Sequence, residues 1–395
     1  MPELFSFAGL RFRTDVAGPL SQLTCPPYDV ITPTQRSELL GRNPYNVVRV
    51  ELPDGDYAGA ARSLAEWQRG CILERDPVEA LYGYRMTYLS SGGERRSTLG
   101  VVGALALEPP GQGILPHEQT TPKAKTDRLE LLRATHANTS PIWCLCSQEG
   151  LAEAIGAVPP AAVATSMDEA GNEHQMWPIT DRAVQAAIRA VVAAAPLLVA
   201  DGHHRYETAL AFRAEQGTGP AGGPGADGPG AVMALVVELS AQQLEVRAIH
   251  RVVTGAGSGE AVLAAFEADY ELAPAPGSGG DILTGMVARG ALAVVTAGGA
   301  HLARPRPGSA AESLELDSAR ADTLLAGVGS AELAYEHDPD AAVGAVRSGT
   351  AEAAVLCRPA TVAQIAATGR GGLRMPPKTT FFWPKPLTGM VLRAW

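Results

Sequence analysis

The sequence predicts a mixed α/β protein of the α+β class, built in at least two parts. Three observations carry this. Apolar runs of strand length alternate along the chain with apolar stripes at helical spacing. Two neighbouring runs, Ala80 to Tyr88 and Ser97 to Leu107, are joined through Ser91-Gly92-Gly93, the signal of an antiparallel pair. The length, 395 residues, exceeds what one core usually holds.

The elements follow in order. Asn46 to Leu52 has the β-branched character of a strand. Tyr57 to Leu73 is helical, with Ala61, Leu64, Ala65 and Trp67 near one face. Asp127 to Leu132 opens a helix that Thr126 caps. Ile142 to Leu145 is a buried strand run. Cys144 and Cys146 read there as small strand residues facing opposite sides, not as a metal or redox pair. Arg182 to Ala195 is a helix with Val184, Ala187, Ile188, Val191 and Val192 on a stripe, and Pro196 ends it. Val232 to Leu239 is a central strand, and Leu244 to Val253 pairs with it. Past the proline and glycine break at Ala273 to Gly280, strand and helix candidates alternate at Ala291 to Thr296, Ala341 to Val346, Ala351 to Leu356 and Val362 to Ala367. The expected organisation is a core over residues 1–272, with a flexible glycine-rich loop at 216–231, and an α/β portion over 273–395.

Composition excludes several classes. Hydrophobic residues make up 46% and charged residues 19%, which is not the balance of a disordered chain. A net charge of −10 opposes binding along a nucleic-acid backbone, so no nucleic-acid partner is expected. No apolar span is long enough for a membrane helix, and the start lacks a signal-peptide pattern. Five cysteines, an odd number in a long chain, fit a reduced, cytoplasmic setting.

The most informative stretch is Leu197 to Leu210. Four apolar residues read as a strand, Asp201-Gly202 as a tight turn, and Glu207 to Arg213 as a helix. A strand, a glycine turn and a helix start form an anion site, because the first helical N–H groups lack partners and the dipole favours negative charge. His203, His204 and Arg205 add cations or donors there, and arginine can grip a phosphate with two parallel bonds. The physical reading is a phosphate site. The His203-His204 pair lacks zinc-ligand spacing.

Four other segments are rich in polar residues. Pro26 and Pro27 place Tyr28 and Asp29 on a stiff turn, or Asp29 caps the helix that Pro33 begins. His117 to Arg128 offers Glu118 as a general base and Lys123, Lys125 or Arg128 as anion ligands, or is a solvated loop. His250 and Arg251 lie in a strand-like run and face opposite sides, where a histidine is more often a core residue than a ligand. Arg374 to Lys385 either stacks aromatics on a base or packs them on the core with its lysines in water.

These segments occur in the order found in a known family. The chain resembles domain-of-unknown-function family 1015, whose members are similar to free-serine kinases of the ParB/sulfiredoxin-like superfamily. The resemblance runs through Pro26 to Ile31, Asn43-Pro44 with Asn46, His117 to Lys125 with Asp127 and Arg128, Asp201 to Ala209, Ile249 to Val253, and Pro377 to Lys385. It implies a ParB/sulfiredoxin-like nucleotide-binding core and phosphorylation of free L-serine to O-phospho-L-serine, with ATP or ADP as donor and Mg2+. Carried over residue by residue, Gly202, His203, His204 and Arg205 bind the phosphates. Glu118 activates the serine hydroxyl, and Asp201 holds Mg2+ or orients a histidine, with His204 beside them in the catalytic set. Tyr28, Asp29, His117, Arg128, His250, Arg251 and Lys378 are the candidate substrate-binding residues. The stretch from Ser147 to Arg182 departs from the compact kinases and loosens the match at Glu118. No Gly-Lys-Ser/Thr phosphate loop is present. The alternatives are a ParB-like nucleotide sensor or DNA-associated protein without kinase activity, and a sulfiredoxin-like reductase, whose turn needs a cysteine that is lacking near His203.

Overall fold

The computed structural model describes residues 1–109, 111–116, 123–156, 164–217, 227–275, 279–370 and 374–395. It divides into two compact units. The first is Met1–Glu245 with two returning segments, one beginning at Gly369 and the other Pro384–Trp395. The second starts at Val246, and its last piece ends at Trp383. The division thus falls at 245/246. The proline and glycine tract near residue 273 lies within the second unit, between the strand Tyr270–Pro274 and the helix Gly279–Arg289.

In the first unit, nine strands among the described residues form one mixed sheet. Their order is Ile114–Pro116, Leu197–Asp201, Ile142–Cys146, Ala231–Glu238, Arg95–Ala106, Leu81–Leu89, Glu173–Ile179 and Ala164–Met167, with Leu4–Phe5 also on Arg95–Ala106. Leu197–Asp201 runs parallel to Ile114–Pro116, and Ala231–Glu238 runs parallel to Ile142–Cys146. The other pairs in the sheet are antiparallel, including the expected pair Leu81–Leu89 with Arg95–Ala106. Alternate residues of the central strands, such as Val232, Ala234 and Val236, enter one core with Ile188 and Val192 of the helix Arg182–Ala193. Cys144 and Cys146 both enter that core. They share a face, as residues two apart on a strand must, and do not face opposite sides.

Local chemistry overrides the apolar pattern in several places. The run at Asn46 to Leu52 is not a strand but contains a helical turn, Val48–Glu51. Asn46 Oδ1 accepts the Val48 N–H at 3.0 Å, a side-chain turn that competes with a sheet ladder. The helix Tyr57–Arg69 buries Ala60, Leu64 and Trp67, and Asp56 caps it. Thr32, not Asp29, caps the helix Pro33–Arg42, through a capping box with Gln35. Thr126 is likewise no cap, since its helix already begins at Lys123.

The second unit pairs its strands in the order Tyr270–Pro274, Gly299–Pro305, Leu292–Thr296, Ala353–Leu356, His250–Thr254 and Glu332–Glu336, all antiparallel. The expected partnership of Leu244 to Val253 with the central strand of the first sheet is therefore incorrect. His250–Thr254 pairs with Glu332–Glu336 and Ala353–Leu356. Sequence neighbours usually pair, but here the chain leaves one sheet for another. Along Leu292–Thr296, Leu292 and Val294 enter one core with Val262 and Phe266. Ala293 and Val295 enter another with Ile282, Met286 and Val343. Helices thus cover both faces, which is why these strands read as unbroken apolar runs.

Candidate functional site

The strand Leu197–Asp201 delivers Asp201 to the turn. Gly202 follows with φ +88°, where an L side chain is strained. A Cβ there would stand 2.9 Å from Ile142 Cγ2 and 3.0 Å from Arg205 Nη2. The helix His203–Glu215 then starts four residues earlier than the apolar pattern suggested. His203, His204 and Arg205 therefore make up its first turn, and no side chain caps it. The first-turn amides and the dipole favour an anion at this end.

Arg205 is turned inward. Its Nη2 donates to Asp201 Oδ2 at 2.7 Å, and its Nη1 to Ser140 Oγ at 3.0 Å and Pro141 O at 2.7 Å. The other Asp201 oxygen accepts from Lys385 Nζ. The three side chains are only 10–14% exposed. Burial pushes the Asp201 carboxyl up, and the charges of Lys385 and Arg205 more than offset it, so the group lies well below the usual carboxylate range.

A second layer of charges lies behind Arg205. Ser140 Oγ donates to Glu51 Oε1 at 3.0 Å, and Thr139 Oγ1 donates to Glu51 Oε2. Arg128 donates to the Glu51 carbonyl at 2.7 Å and to Asp127 Oδ2 at 2.6 and 2.8 Å. Its guanidinium stands 4.2 Å over the Tyr28 ring. Burial pushes the Tyr28 phenol up to about 12, against the opposing charge of Arg205. Asp29 is exposed on the short turn Tyr28–Val30.

The first unit thus brings together Tyr28, Arg128, Asp201, Gly202 and Arg205, with half-buried His203 and His204 at the helix start. Three partners escaped the sequence reading: Lys385, Glu51 and Ser140. Lys385 stands in the Pro377 to Lys385 segment, but it meets a buried carboxylate where lysines in water were one of the expectations. A charged residue inside the apolar run Val47 to Leu52 was the only local sign of Glu51. His117 and Glu118 lie outside the described residues.

His250, Arg251 and Lys378 belong to the second unit. Buried His250 accepts the Cys357 N–H on Nδ1 at 3.2 Å, and burial lowers its pKa to about 4. Arg251 Nε and Nη2 donate to Asp322 at 2.8 and 2.9 Å, and Nη1 to the carbonyls of Ile249 and Lys378. Lys378 is exposed, at φ +58°.

Asp201 does not fit a resident Mg2+ ligand. Both of its oxygens accept from cationic side chains, whereas Mg2+ takes a near-octahedral set of oxygens. No group of three or more metal-ligating side chains occurs among the described residues. No helix among them is long and apolar enough to cross a membrane.

Residues 4–320 match the family described as a protein of unknown function, DUF1015. The chain belongs to this family. No curated protein matches it. Among solved structures, it is similar to a free serine kinase variant in complex with AMP, at 15% identity and TM-score 0.39, covering 68% of this chain and 84% of the other. It is also similar to a conserved hypothetical protein from Pyrococcus furiosus, at 14% identity and TM-score 0.37, covering 69% and 88%. A third is SbnI with C-terminal truncation from Staphylococcus aureus, at 12% identity and TM-score 0.39, covering 73% and 85%. At such TM-scores the likeness assigns no activity to this DUF1015 member.

Proposed function

We propose that this chain is a nucleotide-dependent phosphotransferase that converts free L-serine to O-phospho-L-serine, with ATP or ADP as donor. The observation that carries the reading is the first turn of the helix His203–Glu215. It joins a left-handed glycine, two histidines and an uncapped helix start to the Asp201–Lys385 ion pair. Phosphoryl transfer needs mainly positioning and charge neutralisation, and this turn supplies both. The acceptor is taken from the resemblance of the sequence to the free-serine kinases.

The phosphates lie against the amides of the first turn and the side chains of His203 and His204. Lys385, held by Asp201, supplies a point charge to the transferring group. Arg205 acts as a positioning residue, since its guanidinium is committed to Asp201, Ser140 and Pro141. The serine Oγ attacks the terminal phosphorus, the bond to the bridging oxygen breaks, and the shortened nucleotide leaves. Glu118 accepts the hydroxyl proton. Arg128 is the candidate for the serine carboxylate. Mg2+ travels with the nucleotide as its counter-ion.

The test is an assay of the purified chain with ATP or ADP, Mg2+ and a panel of free amino acids, read by mass spectrometry. O-phospho-L-serine is the expected product. Nucleotide bound in calorimetry without any phosphorylated amino acid leaves a sensor in place of a kinase. No nucleotide binding removes the reading altogether.

A further inference from the structure

The second unit holds a cavity of about 480 Å³ that none of the roles above uses. Small-molecule sites span roughly 300–1,000 Å³. Its walls come from the start of the helix Asp317–Leu325, the start of the helix Val362–Arg370 and the segment Cys357 to Ala360. The charged residues of the lining are Glu315, Asp317, Arg320 and Arg358.

Asp317 is the buried anchor of this group. Its Oδ1 accepts from Arg320 Nη1 at 3.0 Å and Arg358 Nη2 at 2.8 Å. Its Oδ2 accepts from Arg358 Nε at 2.8 Å and the Arg358 backbone N–H at 3.0 Å. Four donors fill the capacity of a carboxylate, so Asp317 holds the two guanidinium groups and has nothing left for a ligand. Burial pushes its carboxyl up, and the Arg358 hydrogen bonds and charge more than offset it, so it stays ionised. Among the described residues, Arg358 Nη1 and Arg320 Nη2 keep N–H groups with no hydrogen-bond partner. Arg358 Nη1 lies toward Gly290, another lining residue, 3.6 Å from where a Cβ would stand.

The hydroxyls of the lining have the opposite polarity. Thr379 Oγ1 donates to Pro376 O at 2.8 Å. Ser318, 2.9 Å from that oxygen, must then be the donor of their shared bond. As the donor of that bond, Ser318 Oγ keeps lone pairs to offer. Glu315 adds an exposed carboxylate. The charged lining thus balances, with two cations and two anions, and it holds both donors and acceptors.

We infer that this cavity binds a free, uncharged α-amino acid as its zwitterion. The carboxylate bonds to Arg358 Nη1 and to an N–H group of Arg320, and the ammonium to the Ser318 oxygen and Glu315. The uncapped start of the helix Asp317–Leu325 adds partial positive charge on the carboxylate side. Val287, Leu316 and Ala360 leave an apolar wall for the side chain. A simple anion or cation would unbalance the lining, whereas a zwitterion does not. The inference does not rest on the phosphotransferase reading, because every residue named lies in the second unit.

Hydrogen exchange on the full chain tests it. L-alanine, L-serine and L-leucine are the probes, and propionate and N-acetyl-L-alanine lack the ammonium. Free amino acids are expected to slow amide exchange in 316–325 and 358–365, and the two controls are not. Arg358→Gln is expected to weaken the effect at least roughly tenfold, as the loss of charge-assisted hydrogen bonds does. Val287→Trp, at an exposed position of the lining, is expected to abolish it and keeps the test open if Arg358→Gln fails to fold. Exchange unchanged by all three amino acids overturns the inference. So does equal protection by propionate, or full protection in Val287→Trp.

Discussion

Lys385 pairs with Asp201 across 184 residues of chain, while Arg205 holds the second oxygen of the same carboxylate at 2.7 Å. Removing one partner of a buried ion pair costs about 3–5 kcal/mol when the other is stranded. Asp201 keeps Arg205, so Lys385→Met is expected to cost at most the lower end of that range. Nucleotide affinity should fall as well. Urea denaturation and calorimetry on the same variant read the two effects separately.

Gly202→Ala should destabilise the chain by roughly 1–3 kcal/mol, through left-handed strain and a Cβ pressed on Ile142. Thermal melting measures this. A variant as stable as the parent would mean that the turn adopts another conformation.

Acid should weaken the second unit through His250. Its ring accepts the Cys357 N–H and must be neutral to do so. Burial foremost, with the charge of Arg251, holds it near 4, below the ordinary histidine value of 6.5. The unfolded chain therefore binds more protons between those values. Stability is full above about pH 6.5 and falls toward pH 4, by up to roughly 3 kcal/mol. His250→Gln should flatten that slope in denaturation curves taken across the range.

Two variants separate binding from chemistry in the proposed reaction. His204→Ala should weaken nucleotide binding with little loss of stability. Glu118→Gln should keep binding and lower kcat by about 10²–10⁴-fold, the usual contribution of a general base. A single-turnover rate equal to wild type in Glu118→Gln would remove Glu118 from that role. Arg205→Ala is a poorer probe of phosphate contact, because it also removes one of the two cations on Asp201 and a donor from Ser140.

What the sequence determined by itself was local. The strand, the glycine turn and the basic residues after it are neighbours in the chain, so spacing alone marks them as an anion site; the left-handed φ of Gly202 and the helix start at His203 came with the structure. The hairpin at Ser91 to Gly93 and the stripe of the helix Arg182–Ala193 were legible for the same reason. Asn46 shows the limit, since one side-chain hydrogen bond turned an apolar run into a helical turn. The tertiary structure decided which charges meet. Glu51, Ser140 and Lys385 reach the Asp201 turn from distant segments, and burial there demands opposite charges or hydroxyl partners whatever their distance in sequence. It also decided that Arg205 faces inward and that His250 and Arg251 serve a separate unit. Long-range pairing follows the path of the chain through its sheets, which no local periodicity encodes.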